Sequence, residues 1–245
     1  MVCRNNQFFC LSILVSVFCF AASSCNKNIN SESNKAFVCF TNVSPDASPI
    51  RIVFDLTDTL TGSGAIPFGS TSGVAGNPYL TAVAGIHNLQ VLGSGGQKYV
   101  DGNIALSVSH YYSFFAYDSV TSGGSLRTLI LQDVLNPVAD TSSSVRFLNF
   151  SSNAPFLYVQ FTDARDTFYL GNRYFPFVGD RQTPSALSSN SIIKAGTYHV
   201  VGTMNSTSFY DFGSMTFTGS KIYTLYTKFP VDSTTTNSLG VIHHN

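Results

Sequence analysis

Histidine is the side chain best suited to acid–base and metal chemistry near neutral pH. The chain has five, which are His87, His110, His199, His243 and His244. His87 and His199 fall at nearly equivalent points of two similar segments, which is more typical of structural or surface histidines than of catalytic ones. His243 and His244 are neighbours, so on a strand they point to opposite faces and cannot easily clasp one metal ion. This pattern predicts no metal site and a frayed polar tail at the C-terminus.

Paired aspartates are the second group that could do chemistry. Asp55 with Asp58, and Asp163 with Asp166, offer few oxygens to a calcium ion that takes about six to eight, so we predict that both pairs lie in turns. The glycine-rich residues 93–96 indicate a hairpin turn, because no P-loop lysine and helix follow them. No serine has a GxSxG setting. The chain is therefore predicted to be no enzyme and to hold no cofactor.

Residues 1–24 have the three parts of a secretory signal. Arg4 is the one charge, residues 8–20 form an almost unbroken apolar run, and residues 21–24 are small. The run is shorter than the roughly 20 apolar residues of a membrane-spanning helix. We predict that residues 1–24 are removed, which leaves Cys25 first, and that the polar residues 25–35 form a flexible tether.

The segment that ends at Cys25 resembles a bacterial lipoprotein signal, in which small residues precede a cysteine that receives a thioether-linked diacylglycerol. The resemblance implies that Cys25 is the lipidation site and that its acyl chains anchor the protein in a membrane. It also implies a cell-envelope protein of the outer membrane, on the periplasmic face or on the cell surface. An ordinary secreted protein with a leftover thiol is the alternative.

Charge and cysteine content narrow the possible partners. Without residues 1–24 the chain keeps 12 Lys and Arg against 13 Asp and Glu. No basic patch stands out, so we expect no nucleic-acid partner. Cys25 and Cys39 are too few for a disulfide framework. Cys39 lies in an apolar run and is predicted to be a small buried hydrophobe.

An internal repeat organises the rest of the chain. Residues 38–54, VCFTNVSPDASPIRIVF, match residues 145–161, VRFLNFSSNAPFLYVQF, at a constant offset of 107. Toward the end of both segments every second residue is apolar, which is typical of a strand with one inward face. Asn42 and Asn149 are equivalent in this match, and we predict that each bonds the backbone of the turn that follows it.

Each copy holds about seven short runs rich in Val, Ile, Phe, Tyr and Thr, separated by turn-forming residues, and this pattern predicts a β-sandwich. The predicted fold is all-β, with two tandem immunoglobulin-like β-sandwich domains after a lipoprotein signal peptide. The first domain is predicted at residues 36–135 and the second at residues 145–245. The polar residues 136–144 are predicted to be the linker between them.

Four features of the sequence are distinctive: the segment NVSPDASPIRIVFD, the PFGSTSG that follows, the AG-x-H/Y strand start and the tandem layout. Together they resemble the domain-of-unknown-function 4397 family. The likeness covers nearly all of residues 36–245 and is most specific in the first two strands. In the second copy SSNAP replaces SPDAS, and PFVGDRQ replaces PFGSTSG. The resemblance implies a bacterial, exported protein of Bacteroidetes type, and it implies no chemistry.

A packed sandwich leaves no interior cleft, so a ligand is expected on loops at one end or on an exposed sheet face. The predicted ligand-contact loops are Ser44–Ser48 with Gly69–Asn77, and Ser151–Pro155 with Gly179–Ser185. The candidate contact residues in them are Asp46, Asn77 and Asn153. Three sites resemble the O-glycosylation acceptor pattern of Bacteroidetes, at Thr59, Ser119 and Ser233, with a plain turn role as the alternative.

These observations predict a lipid-anchored, non-catalytic binding or adhesion protein of the cell envelope whose partner is an unknown protein or glycan. The alternative is a glycan-binding accessory lipoprotein of a nutrient-uptake system. Sugar platforms favour stacked aromatic side chains, Trp above all, and this chain has no Trp but 12 Tyr. An enzyme would need a converging acid, base and nucleophile that the sequence does not offer.

Overall fold

The computed structural model describes residues 34–60, 64–74, 76–120, 125–175, 184–205, 209–228 and 238–245. Over these ranges it contains sixteen β-strands and one short helix. The strands of the N-terminal half are β1 (Lys35–Asn42), β2 (Ile50–Phe54), β3 (Asp58–Thr59), β4 (Leu80–Val83), β5 (Gly85–Gly93), β6 (Lys98–Leu106), β7 (Tyr111–Tyr117) and β8 (Arg127–Asp133). The C-terminal half has β9 (Ser142–Leu148), β10 (Phe156–Thr162), β11 (Thr167–Tyr174), α1 (Pro184–Ser188), β12 (Ser191–Lys194), β13 (Gly196–Thr203), β14 (Phe209–Phe217), β15 (Ile222–Thr227) and β16 (Leu239–His243).

The two halves have the same sheet topology. The N-terminal half forms sheets of order β4-β1-β7-β8 and β3-β2-β5-β6, and the C-terminal half forms β12-β9-β15-β16 and β11-β10-β13-β14. One central pair in each half, β1 with β7 and β9 with β15, is parallel, and the other neighbouring strands are antiparallel. The all-β fold predicted from the short apolar runs is confirmed.

Each half packs its two sheets around an apolar core of its own. Phe40 of β1 and Ile52 of β2 lie in the N-terminal core, and Phe147 of β9 and Val159 of β10 lie in the C-terminal core. All four side chains are almost completely buried. The alternation read from the sequence therefore decides which residues of β2 and β10 face inward.

A third apolar cluster joins the two halves. β1, β7 and β15 are buried along nearly their whole length rather than on alternate residues. Their second face packs against the other half, where Phe115 and Leu131 lie with Tyr226 and Ile242. These residues are equivalent in the two repeats, so the same face of the same sheet is buried in each half. Burial on both faces explains the continuous apolar runs of these strands.

A polar network is buried inside this junction. Arg146 Nη2 of β9 donates to Asp133 Oδ1 of β8 over 2.8 Å, and both side chains are almost fully buried. Ser113 Oγ and Tyr79 Oη donate to the other oxygen of the Asp133 carboxylate over 2.7 and 2.9 Å. A charge from one half is thus neutralised by a charge from the other half in a place that water does not reach.

His244 extends this network, so the prediction of a frayed polar tail is wrong. Its Nδ1 lies 2.6 Å from Tyr79 Oη and its Nε2 lies 2.7 Å from Thr224 Oγ1. Because Tyr79 gives its proton to Asp133, its oxygen accepts a hydrogen bond from Nδ1–H, and Nε2 accepts one from Thr224. The ring is therefore neutral, in agreement with burial, which lowers the pKa of His244 to about 4. The pairing of β16 with β15 holds the last residues against the junction.

The segment between the halves is shorter than predicted. β9 begins at Ser142, so three residues assigned to the linker belong to a sheet. Ser143 and Ser144 pair with β12 and are buried. A serine tolerates this burial because its hydroxyl can bond the backbone, as Ser143 Oγ does with the carbonyl of Thr218 over 2.7 Å.

Candidate functional site

The outer face of the β11-β10-β13-β14 sheet carries most of the exposed aromatic side chains of the described ranges. Phe156, Tyr158, Tyr169 and Phe209 are each between about a third and just over half exposed. Tyr174 is partly buried beside Phe156. These five residues are called the aromatic face below. In β10 the alternation that sends Leu157 and Val159 into the core turns their neighbours toward solvent.

The rings of the aromatic face lie in pairs. The ring centroids of Tyr158 and Tyr169 are 5.5 Å apart with planes tilted by 34°, and those of Phe156 and Tyr174 are 6.3 Å apart with planes tilted by 44°. Phe209 lies opposite Thr203, which in turn lies opposite Tyr158. Rings from β11, β10 and β14 therefore lie at this end of the sheet, and β13 contributes Thr203 between Tyr158 and Phe209.

A β-bulge in β11 produces this arrangement. The register between β10 and β11 shifts after Val159, so that Leu170 is the extra residue. Gly171 follows it with φ of 72°, a left-handed conformation that glycine adopts without a steric penalty. The extra residue places Asn172 opposite Tyr158, whereas an unshifted register would place Asn172 opposite the inward-facing Leu157.

Neutral polar side chains alternate with the rings on this face. Asn172 and Thr203 flank Tyr158 in the register of the sheet, and Gln160 lies opposite Tyr169. Gln160 Nε2 donates to Thr162 Oγ1 over 2.9 Å. His199 Nε2 lies 3.1 Å from Asp211 Oδ1, and the register places Asp211 in the row of Tyr169 and Gln160, two residues after Phe209. Among the described residues whose register places them on this face, Asp211 is the acidic side chain, and His199 is its neighbour on the adjacent strand.

The equivalent face of the N-terminal half has a different character. Arg51 stands where the second repeat has Tyr158. Around it Lys98 Nζ lies 2.6 Å from Asp101 Oδ2, and Asn88 and Gln90 donate to the same carboxylate. The hydrogen bond from Lys98 is the largest cause that lowers the pKa of Asp101. This face carries charged and amide side chains and no exposed ring, so among the described residues the aromatic face is the candidate binding site.

Asp46, a predicted ligand contact, forms hydrogen bonds with other residues of the N-terminal half. Its carboxylate accepts hydrogen bonds from Ser119 Oγ over 2.5 Å, from the Val120 backbone N–H over 2.9 Å and from Ser44 Oγ over 3.3 Å. Ser119, a predicted glycosylation site, is therefore the main side-chain partner of Asp46. A sugar attached to Ser119 Oγ would remove the hydroxyl proton that Ser119 donates to Asp46. This hydrogen bond therefore favours the plain turn role for Ser119.

The other predicted contacts are exposed, and the structure brings only some of the loops together. Pro45 and Ser152 line one small cavity of about 30 Å³, so the loops that carry Asp46 and Asn153 meet at one end of the molecule. A cavity of this size holds about one water molecule. Asn77 lies elsewhere, where its Oδ1 accepts the Tyr79 backbone N–H over 3.3 Å in a turn.

Three predicted modification sites are described only in part or not at all. Cys25 and Ser233 lie outside the described residues, as does most of the predicted loop Gly179–Ser185. Thr59 belongs to β3, and its backbone pairs with Val53. The lipidation and glycosylation of these residues stay predictions.

The remaining candidates for chemistry have structural partners. His87 Nδ1 lies 2.7 Å from Asp55 Oδ2 and its Nε2 lies 2.8 Å from the Val83 carbonyl, so both nitrogens are occupied. The His87 hydrogen bond is the main cause that lowers the pKa of Asp55. Asp163 accepts the backbone N–H groups of Arg165 and Asp166, which is a turn role.

The two equivalent asparagines act as predicted. Asn42 Oδ1 accepts the Ser44 backbone N–H, and Asn149 Oδ1 accepts the Ser151 backbone N–H, both over 3.1 Å. Their amide groups donate to backbone carbonyls, those of Ile66 and Ala154. Each side chain thus fixes the turn after the first strand of its half.

The described ranges contain no group of three His, Cys, Asp or Glu side chains that could hold a metal ion. Over the same ranges no helix has the length and apolar character needed to cross a membrane.

The fold and the aromatic face define an all-β protein with an exposed aromatic surface on one of its four sheets. The chain belongs to the family described as domain of unknown function (DUF4397), whose family pattern matches residues 32–160. No curated protein matches the chain.

Two solved structures resemble the chain at 13 % identity, and each match covers 78 % of it. One is a leucine-rich repeat protein from Bacteroides thetaiotaomicron, with 26 % of that chain covered and a TM-score of 0.21. The chain therefore spans about a quarter of that protein. The other is the family 26 carbohydrate-binding module CBMbc of Eubacterium rectale Amy13K in complex with maltoheptaose, with 91 % covered and a TM-score of 0.22.

Proposed function

We propose that this protein is a lipid-anchored, non-catalytic binding or adhesion protein of the bacterial outer membrane. In this proposal two tandem immunoglobulin-like domains follow a lipoprotein signal peptide, and Cys25 carries the lipid. The observation that carries the binding function is the aromatic face of the C-terminal half.

The exposure of these rings supports a binding role. Tyr158 is 39 % exposed, Tyr169 50 % and Phe209 54 %, while the equivalent face of the other half has no exposed ring among its described residues. Clustered exposed apolar side chains on a soluble domain mark interaction surfaces, and aromatic residues are enriched there. Covering the rings with a partner removes apolar area from water, which favours binding at roughly 25 cal/mol per Å² before the costs of association.

A glycan-binding accessory lipoprotein of a nutrient-uptake system is the second candidate. The alternation of rings with neutral amide and hydroxyl groups on the aromatic face favours it. Both candidates need the lipid anchor and the same face, and they differ in the chemistry of the partner.

Loss of the anchor is expected when Cys25 is replaced by Ala. Without the thiol no thioether can form, so the protein should leave the membrane fraction and appear in the soluble fraction. Immunoblots of fractionated cells measure the change. Cys39→Ala is the matched control, because it removes the buried thiol and should leave the protein in the membrane. Membrane retention of the Cys25→Ala variant contradicts the proposed anchor.

Loss of partner binding is expected when Tyr158 and Tyr169 are both replaced by Ala. Detergent-solubilised protein is added to envelope fractions from cells that lack it, and the retained amount is measured against concentration. The double variant should bind at least about tenfold more weakly, which corresponds to roughly 1.4 kcal/mol. Phe68→Ala is the matched control, since Phe68 is equally exposed at 39 % and lies outside the face. Equal retention of the double variant and the wild type would remove the basis of the proposed function.

A further inference from the structure

The geometry points to an uncharged polysaccharide as the ligand of the aromatic face, with sugar rings stacked on Tyr158 and Tyr169. This inference rests on the proposed function and specifies the partner of the same site. Gln160, Asn172 and Thr203 lie beside the rings, where the hydroxyl groups of the sugar would meet them.

The width of the face suits a chain of sugars rather than a single one. One row of the register runs Asn172, Tyr158, Thr203 and Phe209 across four neighbouring strands. Strands lie about 4.8 Å apart, so the row spans about 14 Å. The next row places Tyr169 opposite Gln160. A ligand that uses both Tyr158 and Phe209 must therefore be longer than one sugar ring.

The chemistry of the two rows matches the two surfaces of a sugar. A pyranose ring has a face of C–H groups and a rim of hydroxyl groups. The π-face of Tyr158 or Tyr169 attracts the C–H face, because the ring quadrupole is negative there. The amides of Gln160 and Asn172 and the hydroxyl of Thr203 can both donate and accept hydrogen bonds, as sugar hydroxyls require.

The mixture of side chains argues against a protein as the main occupant. A protein interface typically has a contiguous apolar centre and a polar rim. On the aromatic face the polar groups lie between the rings, as Thr203 does between Tyr158 and Phe209. A flat apolar partner would remove these polar groups from water, which costs free energy. A hydroxyl-rich chain keeps them in a polar environment.

The charges of the face argue for a neutral chain. Asp211 lies in the row of Tyr169 and Gln160, and its side chain is about half exposed. An anionic polymer would meet no excess positive charge among the described residues of this face. The equivalent face of the N-terminal half has an ion pair and no exposed ring, so we expect one glycan site per chain.

The test uses the detergent-solubilised full-length protein and isothermal titration calorimetry. The probes are three uncharged soluble polysaccharides, hydroxyethylcellulose, galactomannan and amylopectin, with polygalacturonate as an anionic comparison. We expect wild-type protein to bind at least one neutral probe and not polygalacturonate. Tyr158→Ala and Tyr169→Ala should each weaken binding about tenfold, while Phe68→Ala should not. Tyr158→Phe keeps the stacking surface and should stay close to wild type.

The outcomes separate this inference from the proposed function. If no neutral probe binds, or if binding is unchanged in both alanine variants, the glycan ligand is wrong. If envelope retention still depends on Tyr158 and Tyr169 in that case, the binding function stands with a partner of another class. If envelope retention is also independent of both residues, the binding function of the aromatic face is wrong as well. Circular dichroism of each variant checks that it is folded.

Discussion

Asp133→Asn is expected to lower the free energy of unfolding by about 3–5 kcal/mol, because it leaves the Arg146 guanidinium charged and unpaired in a buried place. The substitution keeps the volume of the side chain, so a cavity does not contribute. It also turns an acceptor-only carboxylate into an amide with one acceptor oxygen. The amide oxygen can replace only one carboxylate oxygen, so either Arg146, or Ser113 and Tyr79 together, then face an NH2 group that cannot accept a hydrogen bond.

Urea unfolding followed by circular dichroism measures this loss. Asp101→Asn is the matched control, since Asp101 also pairs with a cation but lies at the surface. Surface pairs contribute little, so its unfolding midpoint should barely change. The double variant Asp133→Asn/Arg146→Met carries neither charge and should recover part of the loss. If Asp133→Asn unfolds at the same urea concentration as Asp101→Asn, the junction network does not hold the halves together.

The network also changes what is expected of each half alone. The sequence predicts two units with a core each, and Phe40 and Phe147 do lie in separate clusters. The third cluster buries Phe115 of one half against Tyr226 of the other, with ring centroids 5.9 Å apart. An isolated half would expose this apolar face to water. The two halves are thus expected to gain much of their stability from each other.

The sequence predicts most strands correctly, but it does not predict the contacts between the two halves, because those contacts join residues far apart in the chain. The period of two and the constant offset identify β1, β2, β9 and β10, because these patterns depend on neighbours within a strand. The junction depends on which residue of one half meets which residue of the other. Arg146 replaces Cys39 of the first repeat, and His244 replaces Asp133. Arg146, a charged residue where the first repeat has the apolar Cys39, is the one signal that could have indicated the network.

The candidate site was also only partly predictable. The sequence pattern marks Tyr158 and Gln160 as the more polar face of their strand, and it does not say that Tyr169 and Phe209 join them. That placement depends on the bulge at Gly171 and on the pairing of β14, which join residues far apart in the chain. Asp46 is a turn residue by composition, and only the structure identifies Ser119 as its partner.

Acidic pH is expected to lower the free energy of unfolding, because His244 becomes protonated. Burial is the largest cause that lowers the pKa of this side chain from 6.5 to about 4. In the unfolded chain the ring binds a proton below pH 6.5, while in the folded chain it does so only below about 4. The stability that depends on the neutral ring is complete above the unfolded value and is lost as the pH falls from 6.5 to 4. The expected loss is about 3 kcal/mol over this window.

Urea unfolding at a series of pH values between neutral and 4 measures this dependence. His244→Gln offers an amide donor toward Tyr79 and a carbonyl acceptor toward Thr224, and it cannot be protonated in this range. Its stability should therefore fall less steeply with acid than that of the wild type. His243→Gln is the matched control, because His243 is the exposed neighbour and its replacement should leave the slope nearly unchanged. A wild-type slope equal to that of His244→Gln would mean that the buried ring does not titrate in this window. A difference of the expected size would mean that protonation of one buried histidine opposes the contact between the two halves.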